Sequence, residues 1–382
     1  MNSTLTPLAS AAPRPLRVVV YTDSMGMGGA ELSLGHLVAG ASNQFAITVL
    51  GVSAAVVEAI AAQRPSAEKI VLPPAGLRSL AAHTATLHRL RPDIIHLNLC
   101  TPWAGAIGLT AALTVPGARV VRVDQLPLRT TDALALWRTR ALSLRVDAHV
   151  AVGEASVRRM EDFYALGRHS VLSVPNGVPD IAFEPAHTPA RKDHRLIVAT
   201  AGRLDAVKAH DILLRAIALV DDAYLVIWGE GTERPALEQL VQDLGIGDRV
   251  SLPGWAGNPR AHLPNVDIFV LPSRSEGFPL AIAEAMLAAR PVVATRVGSV
   301  AEAVRDGETG LLVEKDDVMG LVKALRRLQG DAALRDRLGQ EGRAVAAAEL
   351  TAQVMTQRYE HLWQTLVAQP RSPRLRVPRP RD

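Results

Sequence analysis

Two carboxylates, Glu276 and Glu284, stand either side of the run Gly277-Phe278-Pro279-Leu280 in PSRSEGFPLAIAEAM. The apolar run 267–271 ahead of them reads as a strand that Pro272 stops, and Pro279 suits the first helical position, where a missing N–H costs nothing and φ is already set. The free amides of that first turn, with the positive end of the helix dipole, form a place for phosphate. At about 1.5 Å rise per helical residue the two carboxylates are far enough apart to engage opposite ends of one elongated ligand. Carboxylates accept from sugar hydroxyls, and the amides between them would face a diphosphate. The chemistry that fits is binding of a nucleotide sugar.

Two cations, Arg203 and Lys208, follow the apolar run 196–201. Open α/β sheets place ligands just after such a strand. There they would neutralise a diphosphate, Arg as a fork and Lys as a point charge, or they form an ordinary solvated loop pair. Gly28 and Gly29 follow the first apolar run, in MGMGGAE. Either they make a tight strand-to-helix turn, or they let backbone amides approach a diphosphate from the opposite side. A dinucleotide fingerprint would need glycines at 26, 28 and 31; position 31 is Glu, and no acid ends the second run FAITVL. That excludes the dehydrogenase reading.

The 276–284 pair resembles the E-x7-E signature of retaining glycosyltransferases of family 4. The resemblance extends through GRLDAVKAHD (202–211), VIWGEGTERPALEQL (226–240) and RVSLPGW (249–255), with MGMGGAE (25–31) and VPNGV (174–178) upstream. It covers residues 16 to 365 and is most specific between 196 and 313. It implies the GT-B architecture, two Rossmann-like doubly wound domains facing across a cleft. It also implies that Glu284 binds the nucleotide ribose and Glu276 the transferred sugar, that amides from Gly277 to Leu280 serve that sugar and the phosphates, and that Arg203 and Lys208 stabilise the leaving diphosphate. Four positions depart from the pattern. Ala209 and Ala289 stand where glycine is usual, and Asp124 and Gln125 stand where a histidine often follows the fifth strand. Asp124 would polarise an acceptor hydroxyl or merely cap a loop. His96, on DIIHLN, is expected at the edge of the core.

These residues need a scaffold of parallel sheets. Apolar runs at 17–22, 45–50, 69–72, 93–97, 119–123, 148–152 and 170–174 read as strands, separated by segments long enough for crossover helices. The alternation resumes at 196–201, 224–229, 249–252, 267–271, 291–295 and 310–313. The expected organisation is a disordered start (1–15), a first, acceptor-side domain (16–178), a Pro- and charge-rich linker (179–195), a nucleotide-sugar-binding domain (196–350), a helix over 351–368 that the resemblance carries back onto the first domain, and a Pro/Arg tail (369–382) unable to bury a core.

Composition is compatible with this. A chain of 382 residues, 48% of them hydrophobic, suffices for two cores. The single cysteine, Cys100, excludes an intrachain disulfide framework and suits a reducing compartment. No run approaches the ~20 apolar residues that span a bilayer, and the start lacks a secretory pattern, so the expected place is the cytoplasm. The formal charge is +4. Segments 77–91 and 134–145 alternate apolar and basic residues at helical spacing. They would either rest on an anionic bilayer, which suits a lipid-linked acceptor, or pack on the sheet with solvated cationic faces. No metal, P-loop or G-x-S-x-G pattern is present, and no Asp-x-Asp pair.

The expected function is therefore metal-independent, retaining transfer of a hexose from a nucleotide-diphosphate sugar, UDP-linked, to an acceptor hydroxyl on a carbohydrate or lipid-linked precursor. No cofactor beyond that co-substrate is expected, and no nucleic-acid partner. The alternatives are a GT-B-fold epimerase or phosphorylase, a non-catalytic nucleotide-sugar binder, and an RNA binder working through the arginine-rich tail. The lack of a cofactor-lysine context counts against the phosphorylase, and the lack of an aromatic-basic motif against the RNA binder.

Overall fold

The computed structural model describes residues 14–126, 128, 130–164, 166–180, 195–255 and 259–370. The first domain holds β1 (Leu16–Thr22), β2 (Phe45–Gly51), β3 (Glu68–Val71), β4 (Ile94–Leu99), β5 (Arg119–Asp124), β6 (Ala148–Ala151) and β7 (Val171–Ser173). The second holds β8 (Leu196–Ala201), β9 (Ala223–Trp228), β10 (Val250–Gly254), β11 (Ile268–Leu271), β12 (Val292–Thr295) and β13 (Gly310–Val313). Every strand falls on an apolar run read from the sequence. Both β4 and β5 are buried along their whole length, as strands covered by helices on both faces must be.

Strand order is β3-β2-β1-β4-β5-β6-β7 in one sheet and β10-β9-β8-β11-β12-β13 in the other. The pairing is parallel throughout; Val19, for example, lies beside Thr48 on one side and Ile95 on the other. In both sheets the winding reverses between two neighbours, β1 and β4 in the first and β8 and β11 in the second. Connections leave such neighbours toward opposite faces, so a crevice opens at their carboxyl ends. The loops that follow β1 and β4 carry Gly28, Gly29 and Cys100; those that follow β8 and β11 carry Arg203, Lys208 and Glu276.

The C-terminal helix, Ala352–Ala368, begins where the Thr351 side chain accepts from the Val354 amide at 3.2 Å. It packs on the first domain. Trp363 is fully buried there, edge-on to Phe45 at 5.2 Å and to His96 at 5.7 Å, and Tyr359 meets His96 at 5.0 Å. His96 is thus inside the core, and burial pushes its imidazole down to about 3. The helix's approach runs beside the chain leaving the first domain, since Val178 N donates to Leu350 O at 3.1 Å and Ala352 N to Val178 O at 2.7 Å. The two crossings between domains are therefore stitched together at one point.

Two local expectations change. Pro279 is the N-cap (φ −75°, ψ 122°) and the helix proper is Leu280–Leu287, so Leu280 takes the first position. Arg14, assigned to the disordered start, clasps Asp93 with two bonds of 2.8 and 2.9 Å. Of the expected linker only residues 179, 180 and 195 are described, and of the tail only 369 and 370.

Candidate active site

At the second switch point Lys208 Nζ lies 2.6 Å from Glu276 Oε1, with the two side chains 19% and 9% exposed. A contact across 68 residues of sequence puts the GRLDAVK and SEGFP motifs in one place. Lys208 ends a short 3-10 turn, Ala206–Lys208, capped by the Asp205 side chain at 3.2 Å. Arg274 clamps this turn from the SEGFP side, donating to the Ala206 carbonyl at 2.6 Å while pairing with Asp211 at 3.0 Å and Asp316 at 2.6 Å. Ala209 follows in the left-handed region, φ 51°, and Ala289 likewise at φ 54°, which gives the physical reason that glycine is usual at both.

Arg203 is not part of the Lys208–Glu276 contact. Its guanidinium pairs with Asp205 at 3.0 Å and is 67% exposed. Burial raises the thiol of Cys100, just after β4 of the first domain; Glu31 and Asp23 add to the rise and the Arg203 charge opposes it. Glu284 lies deeper in its helix, 3.9 Å from Arg260 Nε, and burial lifts its carboxyl to about 7 against the pull of Arg260. Arg260 is itself nearly buried, and its guanidinium bonds the Pro179 carbonyl at the domain crossing.

In the first domain Gly28 is the N-cap of the helix Gly29–Gly40. Its amide donates to Glu31 Oε2 at 3.0 Å, so this N–H is already committed. A side chain on Gly29 would meet nothing within 4 Å, so open space lies beside that first turn. Asp124 requires a correction. It is completely buried and held by the Arg122 fork at 3.0 and 3.2 Å, with Arg122 also bonded to Ser143 at 2.8 Å. The pair lies inside the domain, where a carboxylate is matched by a cation, and Asp124 is withdrawn from any acceptor.

Gln125, the next residue, is at the cleft instead. Its amide nitrogen donates to Asn98 at 2.7 Å, and its carbonyl oxygen accepts from Asn176 at 2.8 Å. Asn176 accepts from Ser33 at 2.7 Å and donates across the cleft to the Phe278 carbonyl at 3.3 Å. The backbone of Gly277 packs so closely on the Gln125 carbonyl that a Cβ there would lie 2.0 Å from it. Glycine at 277 is therefore required for the domains to meet. Sequence reasoning missed Asn176, Arg260 and Arg274, although VPNGV and PSRSEG were each singled out as motifs.

Residues 195–331 match the family described as glycosyl transferases group 1. The chain is 32% identical over 206 residues to the lipopolysaccharide core biosynthesis glycosyltransferase LpsE of Rhizobium meliloti, covering 54% of this chain and 57% of that protein. It is 37% identical over 224 residues to a D-inositol 3-phosphate glycosyltransferase of Nocardia farcinica, covering 53% and 49%. The chain thus spans about half the length of these curated relatives. In fold it matches Anabaena Alr3699/HepE, solved in complex with UDP, at TM-score 0.81 and 19% identity over 92% of this chain and 100% of that one. A glycosyltransferase from Rickettsia africae matches at TM-score 0.81 and 14% identity over 93% and 100%. The shared architecture is two Rossmann-like domains in the GT-B arrangement.

Proposed function

We propose that this chain is a retaining hexosyltransferase that takes its sugar from a UDP-linked donor and passes it to a hydroxyl of a lipid-linked or polysaccharide precursor. The observation that carries the reading is the meeting of Lys208 and Glu276 at the second switch point, inside the segment that matches glycosyl transferases group 1. The uridine assignment draws on the HepE complexes with UDP and UDP-glucose, and the acceptor class on the lipopolysaccharide relatives.

In this reading Glu284 receives the ribose hydroxyls and Glu276 the hydroxyls of the transferred sugar, beside the backbone from Gly277 to Leu280. The bond to the leaving diphosphate loosens and the sugar becomes oxocarbenium-like. A leaving-phosphate oxygen takes the acceptor proton as the new bond forms on the same face. Arg203 and Lys208, with amides near Gly29 and Leu280, stabilise the developing phosphate charge, which is electrostatic catalysis by fixed groups that need no metal ion. No protein nucleophile is used. Gln125 and Asn176 shape the acceptor side in place of a histidine.

Among the described residues no helix is long and apolar enough to cross a membrane. Contact with an anionic surface at the cytoplasmic face is assigned to the helix Ala133–Ser143, where Leu134 is 72% and Trp137 69% exposed beside Arg138. The helix Leu77–Leu90 fits less well, because its Leu87 is turned into the core.

A thermal-shift screen of nucleotides and nucleotide sugars tests the donor, since a ligand of the native state raises its stability. UDP and UDP-hexoses should stabilise, and donor alone should be slowly hydrolysed. Stabilisation without any turnover would favour a non-catalytic nucleotide-sugar binder.

A further inference from the structure

The helix Glu154–Tyr164 of the first domain starts at Gly153, a residue with no side chain to cap it. The first amides of a helix have no partner within it. Here the second domain supplies one: Glu302 Oε2 accepts from Glu154 N at 2.8 Å and Oε1 from Ala155 N at 2.8 Å. One carboxylate thus takes two orphan donors 147 and 148 residues away. Gly153 is fitted to this contact. Its φ is 156°, and a Cβ there would lie 2.2 Å from Ser299 Oγ and 2.9 Å from Glu302 Oε2.

The turn that carries Glu302 has a second face. Ser299 N donates to the Gly277 carbonyl at 3.0 Å, and Gly298, at φ 53°, packs so that a Cβ would lie 1.9 Å from the Glu276 carbonyl. The segment 298–302 therefore touches the facing domain on one side and backs the 276–277 loop on the other.

We propose that Glu302 is an interdomain positioning residue: by capping the helix Glu154–Tyr164 of the facing domain it holds the cleft closed, and through the same short segment it sets the backbone of Glu276 and Gly277. Opening the cleft sends both amides and the carboxylate to water, whereas the Ser299–Gly277 bond, with both partners in the second domain, stays in place. Closing restores the cap. The consequence for catalysis rests on the reading of that loop as the sugar-binding loop, whereas the latch itself does not.

The test is a distance measurement on the full chain in a Cys100→Ser background. Spin labels go on cysteines replacing exposed Arg158 in the first domain and exposed Lys323 in the second. Glu302→Ala should lower the closed-to-open ratio of the nucleotide-free protein by on the order of tenfold, the scale of a lost helix cap. Glu154→Pro deletes one donor while suiting the first helical position, and should open the cleft less. The double variant should open no further than Glu302→Ala, because both changes remove one contact. Glu302→Gln keeps one acceptor oxygen and should lie between. Gly153→Ala, which crowds both Ser299 and the Glu302 carboxylate without deleting either, should also open the cleft. In turnover with UDP-hexose the Glu302→Ala donor KM should rise several-fold more than kcat falls, and UDP should restore the closed distance. A distance distribution for Glu302→Ala that coincides with the parent's, or fully additive effects in the double variant, overturns the proposal. The nucleotide-free distances decide this even if no donor is turned over, so failure of the latch and failure of the proposed activity are separable.

Discussion

Lys208 and Glu276 are paired at 2.6 Å in the protein itself, before any ligand is considered. A cation proposed for phosphate and a carboxylate proposed for sugar hydroxyls hold each other in register, both largely buried. In the proposed reading a donor would exchange this ion pair for phosphate at Lys208 and sugar hydroxyls at Glu276.

That pairing separates stability from catalysis. Lys208→Ala or Glu276→Ala leaves a partner buried and uncompensated, and each should cost on the order of 1–3 kcal/mol in urea unfolding. The double variant should recover part of that loss while staying as inactive as the worse single one. Recovery of activity with stability would reduce the pair to scaffolding.

Arg203 should behave oppositely. Its guanidinium is exposed and pairs with Asp205, so Arg203→Ala should change stability by no more than about 0.5 kcal/mol. If its charge faces the leaving phosphate, kcat should still fall by on the order of a hundredfold. Unchanged kcat with saturating donor would make it an ordinary surface residue.

Glu284 gives a pH dependence with a definite sign. Its carboxyl is lifted to about 7 in the folded protein, so the folded state holds a proton that the unfolded state releases near the ordinary carboxylate value. The stability this contributes is complete at acid pH and is lost as pH rises through 7. Glu284→Gln should therefore match the parent at about pH 4, below the unfolded carboxylate value, and exceed it by on the order of 1–2 kcal/mol at pH 8. Ribose hydroxyls favour the ionised form, so donor affinity of the parent should strengthen from pH 6 to 8 and that of the variant should not. Titration calorimetry across this range decides it.

The scaffold was legible because its strands are covered on both faces and read as continuous apolar runs; KIVL at 69–72 and the observed Glu68–Val71 differ by one residue. The second-domain half of the site was legible because its groups lie within short motifs at the ends of β8 and β11. What escaped is long-range. Asp124 and Gln125 are neighbours in sequence, but strand alternation turns one onto Arg122 in the interior and leaves the other at the cleft. No local pattern links Arg260 to Glu284, which meet through packing within the second domain, or Glu302 to the Glu154 amide, whose meeting depends on how the two domains close.

The exposed apolar pair on the helix Ala133–Ser143 makes the membrane assignment testable. Sedimentation with vesicles containing anionic lipid should fall as salt rises, vanish with neutral lipid, and weaken by several-fold in a Leu134→Ala/Trp137→Ala variant. Residues 370–382 should be dispensable. Binding that follows the tail alone would reassign the contact to its arginines.

Fixed protein groups, without a metal ion or a protein nucleophile, are proposed to move the sugar with its anomeric configuration kept. Real-time proton NMR of UDP-glucose, UDP-galactose and UDP-N-acetylglucosamine, each incubated with the protein in EDTA, tests it most directly. At least one should be consumed, and the freed sugar should appear first as the α anomer, before mutarotation. First appearance of the β anomer, or turnover that begins only when Mg²⁺ is added, would contradict it.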